Sequence, residues 1–160
     1  MTITITPLTL SSLDRLGTIL GRMCIAGDII CLGGELGAGK TTLTQAIARG
    51  AGVDKREYVS SPTFAYMHEY KGVIPFYHMD FYRLGSSDDV LELGLDEFFY
   101  QAGITVIEWP ERAVQVIPQT HLLLQIEIID QQQRKITMSS PDLTWEKRLA
   151  ILEKTWSIPP

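Results

Sequence analysis

The stretch Gly34-Glu35-Leu36-Gly37-Ala38-Gly39-Lys40-Thr41 decides the fold of this 160-residue chain. Its pattern, G-x-x-x-x-G-K-[ST], is that of a phosphate-binding loop, in which glycines let backbone N–H groups close around a polyphosphate. In such a loop the ammonium of Lys40 faces the phosphates and the hydroxyl of Thr41 contacts Mg²⁺. The pattern therefore predicts a site for a nucleoside triphosphate.

The residues on either side of the loop have the periodicities that such a site requires. The apolar run 29–32 precedes the loop and is typical of a buried strand. After the loop, Leu43, Ala46 and Ile47 recur at helical spacing. The N-terminus of this helix would lie under the phosphates, where its dipole and unpaired N–H groups favour negative charge. The order of strand, loop and helix separates this match from an ordinary glycine-rich turn.

Length and composition predict one soluble domain. With 45% hydrophobic and 21% charged residues, residues 1–160 are expected to form a single domain, with a disordered tail at 155–160. No signal peptide or membrane-spanning run is visible, and Cys24 and Cys31 are expected to be unpaired buried thiols. The expected setting is the cytoplasm, away from membranes. A net charge of −5 with scattered basic residues argues against direct binding to nucleic acid.

The rest of the chain alternates helical and strand patterns. The expected strands are 1–6, 29–32, 64–70, 74–80, 104–108, 121–129 and 135–139, of which 64–70 and 74–80 form a hairpin. The expected helices open at Ser11, Thr41, Ser86 or Ser87, and Ser140, the last with Leu143, Leu149 and Leu152 on one face. This order predicts a layered α/β fold of the P-loop NTPase type. Its mixed sheet would have parallel core strands, antiparallel additions and helices on the faces.

Two acidic residues are candidates for the carboxylate that a phosphate loop needs beside its metal ion. Glu108 ends the apolar run 104–107, which reads as a better buried strand than the run 76–79 before Asp80. We therefore assign Glu108 to Mg²⁺, directly or through water, and Asp80 to orienting the attacking water or helping the metal shell. The alternatives are an exposed acid at a strand end for Glu108 and a turn residue for Asp80.

A hydroxyl residue and an aromatic residue complete the predicted site. Thr63, in the segment 60–63 after the loop helix, is placed where P-loop proteins carry a hydroxyl that senses the γ-phosphate. The alternative is a turn that enters the next strand without touching nucleotide. Trp109 either packs near the nucleotide or fills the core, and His78 is interpreted as a structural or site-lining residue.

Four motifs in order resemble those of the TsaE (YjeE) family of bacterial P-loop ATPases. They are GELGAGKTT at 34–42, SPTF at 61–64, HMDFYRL at 78–84 and EWP at 108–110. The resemblance implies a cytoplasmic ATPase that acts with the proteins TsaB and TsaD to form threonylcarbamoyladenosine in tRNAs reading codons that begin with A. It implies that tRNA is reached only through that complex, and that ATP and Mg²⁺ are the cofactors.

The family motifs also imply roles for individual residues. The implied nucleotide-binding residues are Gly37, Ala38, Gly39, Lys40, Thr41, Thr42 and Trp109. Arg134, which lies outside the four motifs, is also expected to contact the nucleotide on the side of the base. The implied metal ligands are Thr41 and Glu108, and the implied catalytic residues are Lys40, Thr63 and Asp80.

Two other function classes are compatible with a phosphate loop. One is a small-molecule kinase, although the acidic region 85–100 lacks the arginine-rich lid that such kinases carry. The other is a scaffold that binds nucleotide without hydrolysing it. No arginine finger is evident in the chain, apart from Arg83 and Arg112 as candidates, so slow turnover and stimulation by partners are predicted.

Overall fold

The computed structural model describes residues 1–156 and contains one seven-stranded sheet. Its strands are β1 (Thr2–Leu8), β2 (Ile29–Gly33), β3 (Met67–Tyr70), β4 (Phe76–Asp80), β5 (Ile104–Glu108), β6 (Leu122–Ile128) and β7 (Arg134–Ser139). Side by side they run in the order β1-β7-β6-β2-β5-β4-β3. The inner strands β6, β2, β5 and β4 are parallel, whereas β1, β7 and β3 pair antiparallel with their neighbours. The predicted mixed sheet is confirmed.

Helices cover both faces of this sheet. They are α1 (Leu10–Met23), α2 (Lys40–Gly50), α3 (Ser87–Glu92) and α4 (Leu143–Trp156), with 3₁₀ helices at Leu95–Tyr100 and Pro110–Arg112. On one face, α1, α2 and α4 bury leucines such as Leu13, Leu43 and Leu149 against the sheet. On the other face, α3 and the first 3₁₀ helix bury Val90 and Phe99. Each face therefore has its own apolar core.

Helices α1 and α2 lie in backbone contact because glycines face each other between them. A Cβ atom at Gly21 would lie 2.0 Å from the carbonyl oxygen of Ile47, and one at Gly50 would lie 2.2 Å from that of Thr18. Such distances are too short for any side chain, so both positions require glycine. The phosphate-loop helix is thereby held against its neighbour along its length.

The first helix starts earlier than the sequence predicts. Thr9, and not Ser11, is its N-cap, and the Thr9 hydroxyl accepts a hydrogen bond from the Ser12 N–H at 3.2 Å. Threonine can cap a helix as serine does, because its hydroxyl also accepts a hydrogen bond from an unpaired N–H group at the helix start. Helix α2 spans Lys40–Gly50, so it likewise begins one residue before its predicted start at Thr41.

The predicted hairpin is confirmed, but its strands are shorter than expected. Residues 62–66 form a turn in which the Tyr66 N–H donates to the Pro62 carbonyl at 2.6 Å, and Tyr66 has a φ of 65°. Phe64 is 82% exposed at this turn. The strand therefore begins at Met67, since a chain with a left-handed residue cannot continue as a pleated strand.

The C-terminal helix differs from the prediction in which residues it buries. Asp142 caps α4 by accepting from the Trp145 N–H, and this hydrogen bond holds the pKa of the Asp142 carboxyl below its usual value. Leu143 is 70% exposed, so it does not share the buried face of Leu149 and Leu152, and Trp145 is buried there instead. The helix includes residues 155 and 156 of the expected tail, and 157–160 lie outside the described residues.

Both cysteines are unpaired, as predicted. Burial raises the pKa of the Cys24 thiol to about 12, with a further rise from the Asp28 carboxylate and an opposing effect of Arg148. Burial alone raises the pKa of Cys31. Both thiols are therefore protonated at neutral pH, the unreactive form of cysteine. Within residues 1–156, no helix has the length and apolarity needed to cross a bilayer.

Candidate nucleotide-binding site

Two acidic side chains lie next to each other where the parallel strands β4 and β5 end. Asp80 is the last residue of β4 and Glu108 the last of β5, and the two are paired in register. Each is 3% exposed. Both strands are buried along their whole length, so the expectation that β5 is the better buried of the two is wrong. The core thus places both carboxylates at the edge where α/β sheets bind ligands.

The phosphate loop joins β2 to α2 beside these strand ends. Gly34, Gly37 and Gly39 have φ angles of 142°, 79° and 107°, in the left-handed region that favours glycine. A Cβ atom at Gly34 would also lie 2.6 Å from the backbone of β6. Lys40 is the first residue of α2, so the unpaired N–H groups of the helix start adjoin the loop. This is the geometry of an anion site.

Lys40 is held inside the loop. Its Nζ donates to the carbonyl oxygens of Gly34 at 2.6 Å and Glu35 at 2.8 Å, and it lies 3.8 Å from the centre of the Trp109 ring. Burial lowers the pKa of the Lys40 ammonium below its usual value, while nearby carboxylates, that of Glu108 foremost, oppose the shift. The ring face of an indole attracts a cation. Trp109 therefore packs at the site, and not merely in the core.

Glu108 and Thr41, the two predicted metal ligands, are in contact. The Thr41 hydroxyl lies 3.0 and 3.2 Å from the two carboxylate oxygens, and the Thr44 hydroxyl lies 3.4 Å from one of them. Adjacent carboxylate and hydroxyl oxygens suit Mg²⁺, which uses one or two protein carboxylates together with substrate phosphates. Residues 1–156 contain no group of three or more His, Cys, Asp or Glu that could hold a metal alone. The residues present thus fit an ion shared with a phosphate.

Asp80 accepts hydrogen bonds from the segment that follows α2. The Ser61 hydroxyl donates to Asp80 Oδ2 at 2.7 Å and the Thr63 hydroxyl donates to the same oxygen at 2.9 Å. The Tyr82 N–H donates to Oδ1 at 2.9 Å. Thr63 and Asp80, both implied catalytic residues, are thus in direct contact.

The same segment is fastened at two earlier points. Gln45, on α2, donates from its side-chain amide to the Val59 carbonyl at 2.9 Å. The Ser60 N–H donates to the Tyr70 hydroxyl at 3.1 Å. Residues 59–63 therefore connect the loop helix, strand β3 and the Asp80 carboxylate.

The loop, Thr63, Asp80, Glu108 and Trp109 open onto one cleft of about 440 Å³. Its lining consists of Leu36, Gly37, Gly39, Lys40, Thr41, Thr42, Ser61, Thr63, Asp80, Tyr82, Glu108 and Trp109. A larger cavity of about 680 Å³ lies between the second half of α2 and the loop 52–59, and it contains none of the predicted site residues. The smaller cleft is therefore the candidate site.

Comparison with known proteins decides the family. A family model described as threonylcarbamoyl adenosine biosynthesis protein TsaE matches residues 9–136. The chain belongs to the TsaE family. Among its relatives, the TsaE protein of Treponema pallidum (strain Nichols) is 37% identical over 125 residues, which cover 78% of this chain and 91% of that one. The TsaE protein of Bacillus subtilis (strain 168) is 42% identical over 115 residues, 71% and 70% of the two chains.

A solved structure agrees with this membership. The crystal structure of Bacillus subtilis YdiB superposes with a TM-score of 0.82 and 29% identity, covering 97% of this chain and 96% of the other. The α/β fold expected for a TsaE-family chain is thereby confirmed over nearly its whole length.

Two of the predicted nucleotide-binding residues of this TsaE-family chain lie outside the lining of the cleft. The Arg134 guanidinium donates to the carbonyl of Ala38 at 3.0 Å and to those of Asp130 and Gln133 at 2.8 and 2.9 Å. These contacts hold the loop from outside the cleft, and a contact of Arg134 with the base stays a prediction. Ala38 is fully buried beneath the loop, and its role in nucleotide binding stays a prediction.

The structure adds residues to which the sequence assigns no role in this TsaE-family site. Ser61 shares the Asp80 oxygen with Thr63, two residues later, and Tyr82 lies with its ring centre 4.8 Å from that of Trp109. Both fall inside the motifs that define the resemblance, two residues from a predicted site residue, and this nearness in sequence was the available signal.

Proposed function

We propose that this chain is an ATP-binding and ATP-hydrolysing protein required for threonylcarbamoyladenosine modification of tRNAs that read codons beginning with A. Membership of the TsaE family supports the role in this biosynthesis. The observation that carries the proposed chemistry is the meeting of two carboxylates at one cleft. Glu108 contacts the phosphate-loop hydroxyl of Thr41, and Asp80 contacts the hydroxyls of Ser61 and Thr63.

The loop would bind the polyphosphate of ATP through groups that point into the cleft. The N–H groups of residues 37–42 and the start of α2 supply partial positive charge, and Lys40 supplies a full one. A phosphate oxygen competes with the carbonyls of Gly34 and Glu35 for the Lys40 ammonium. The Trp109 ring excludes water on one side of that ammonium, which strengthens its attraction for an anion.

Thr41 and Glu108 would hold the Mg²⁺ that accompanies ATP. When bound, such an ion would supply positive charge to offset the negative charge that develops on the phosphate oxygens during transfer. Glu108 contributes a carboxylate oxygen and Thr41 a hydroxyl oxygen, and both are already 3.0–3.2 Å apart.

Asp80 would orient the water that attacks the γ-phosphorus. A carboxylate accepts hydrogen bonds only, so it can hold a water by its protons and aim the oxygen lone pair at the phosphorus. The new bond forms between this oxygen and phosphorus while the bond to the bridging oxygen of ADP breaks. Thr63 and Ser61, which now donate to Asp80, are the nearest hydroxyls for the same water or for the γ-phosphate.

We propose TsaB and TsaD as partners, with tRNA reached through them and the cytoplasm as the place of action. A net charge of −5 supports the indirect contact, because direct RNA binding needs clustered basic side chains. No arginine lines the cleft within residues 1–156, and Arg83 lies over the Phe64 ring at 4.7 Å. A partner that supplies positive charge at the cleft would therefore stimulate ATP turnover.

Steady-state ATP turnover tests this function. The purified chain is expected to hydrolyse ATP slowly, and TsaB with TsaD to raise the rate by about 10³-fold or more if they supply the missing positive charge. Fast ATP hydrolysis by the chain alone, at a rate that TsaB and TsaD together do not change, would contradict the partner dependence. A phosphorylated metabolite formed in equal amount with ADP would favour a small-molecule kinase instead.

Tryptophan fluorescence tests whether the cleft is the nucleotide site. MgATP is expected to change the emission of the wild-type chain and to leave that of Trp109→Phe nearly unchanged, because Trp109 contacts the phosphate-loop lysine. Trp145→Phe and Trp156→Phe are the matched controls, since both lie on α4, and they should keep the response. A full response in Trp109→Phe would place the nucleotide elsewhere.

A further inference from the structure

His78 is a fully buried polar side chain that the proposed mechanism does not use. It lies on β4, two residues before Asp80, and is 0% exposed. Its Nε2 lies 2.8 Å from Oε1 of Glu108, the carboxylate that would hold the metal ion. Its Nδ1 is also buried and has no hydrogen-bond partner among residues 1–156. One ring nitrogen thus contacts Glu108, and the other has no hydrogen-bond partner among the described residues.

The unpartnered nitrogen determines which tautomer the ring adopts. Burying an N–H group without an acceptor costs the full desolvation of that group. A proton on Nε2 avoids this cost, because it is donated to Glu108, and leaves Nδ1 as a bare lone pair. The hydrogen-bond network therefore assigns the proton to Nε2.

The two carboxylate oxygens of Glu108 have different partners. Oε1 lies within 2.8 Å of His78 Nε2, 3.0 Å of the Thr41 hydroxyl and 3.4 Å of the Thr44 hydroxyl. The Thr44 hydroxyl has a closer acceptor, the Lys40 carbonyl at 3.0 Å, so its single proton is engaged there. Among residues 1–156, Oε2 accepts a hydrogen bond only from the Thr41 hydroxyl, at 3.2 Å. Within that part of the chain, the His78 N–H is therefore the one donor that has Oε1 as its sole acceptor.

We propose that His78 is a positioning residue that fixes Oε1 of Glu108 and leaves Oε2 directed to the metal ion. This rests on the proposed function, since it concerns the same Mg²⁺ site. A carboxylate free to rotate about its last bond presents its oxygens to an ion only part of the time. A hydrogen bond from a buried ring removes that freedom, and such supporting contacts influence metal affinity strongly.

Three variants of His78 separate positioning from mere packing. His78→Gln places an amide nitrogen as many bonds from Cβ as Nε2 is, so it can still donate to Glu108. His78→Asn has the same amide but is one bond shorter, and His78→Leu has no donor. Tyr77→Phe is the control: it is on the same strand, its ring packs near Phe98, and it loses one partly buried hydrogen bond, from the Tyr77 hydroxyl to Gln101 at 2.9 Å.

The measurement is the Mg²⁺ concentration at which ATP affinity reaches half of its full increase over the affinity in EDTA. It comes from calorimetric titrations with ATP at a series of MgCl₂ concentrations. His78→Asn and His78→Leu should raise this midpoint about 10- to 100-fold, while ATP affinity in EDTA stays unchanged. His78→Gln should recover most of the loss, and Tyr77→Phe should match the wild type. Thermal unfolding of each variant checks that it is folded.

A second readout uses the wild-type chain alone. ¹⁵N NMR of the imidazole nitrogens should report His78 protonated on Nε2 and not on Nδ1, and the signals should move when MgCl₂ and ATP are added together. The opposite tautomer would overturn the positioning role, as would equal Mg²⁺ midpoints for the Gln, Asn and Leu variants. If the wild-type chain bound ATP without any dependence on Mg²⁺, the proposed metal site would fail first, and the positioning role with it.

Discussion

Replacing Lys40 by alanine is expected to lower ATP affinity about 10- to 150-fold, since a hydrogen bond to a charged group contributes about 1.5–3 kcal/mol. Lys40 is the one full positive charge in the lining of the cleft within residues 1–156. Its removal leaves the helix start, the loop N–H groups and the proposed Mg²⁺ to attract the polyphosphate. Calorimetric titration with MgATP gives the dissociation constants.

Lys135→Ala is the matched control for this variant. Lys135 lies on β7, where its ammonium is 3.0 Å from Glu127 and outside the lining of the cleft. Its loss removes the same charge from the chain, and the affinity for MgATP should stay within about twofold, because exposed ion pairs contribute little. An equal loss of affinity in both variants would mean that overall charge, and not the loop, governs binding.

Asp80→Asn is expected to lower the ATP turnover number about 10²- to 10⁴-fold while MgATP still binds. The amide keeps an acceptor oxygen for Ser61 and Thr63, so the segment 59–63 should remain in place. It loses the charge that orients the attacking water. Single-turnover hydrolysis under saturating MgATP separates this effect from binding.

A complementation assay then distinguishes hydrolysis from nucleotide-gated docking. If hydrolysis is required, Asp80→Asn should bind MgATP but fail to support tRNA modification in cells. A scaffold that only binds ATP would keep modification with Asp80→Asn and lose it with Lys40→Ala. Glu97→Gln, a change to an exposed acid on the 3₁₀ helix Leu95–Tyr100, is the control and should behave as the wild type.

Local sequence signals predict most of the fold because they depend on nearest neighbours. The loop motif and the apolar runs at 29–32 and 104–107 each describe a few consecutive residues, and the structure contains the corresponding elements. The errors occur where two residues offer the same local chemistry. Thr9 and Ser11 both suit a helix cap, and only the packing of α1 decides between them.

The candidate site was predictable as a set of residues but not as a set of contacts. Motifs identify Glu108, Asp80 and Thr63, yet the pairing of the first two follows from the register of β4 and β5. The position of Arg134 follows from the pairing of β7 with β6, which brings it beneath the loop. Such long-range pairing cannot be read from residues that are neighbours in sequence.

The close contact between α1 and α2 limits how the proposed ATP site could change shape. Gly21 and Gly50 leave no room for a side chain between the two backbones, so we expect α2 to keep its position against α1 when ATP binds. Segment 59–63 reaches α2 through Gln45 and Asp80 through Ser61 and Thr63. We therefore expect the conformational response to ATP to occur in this segment.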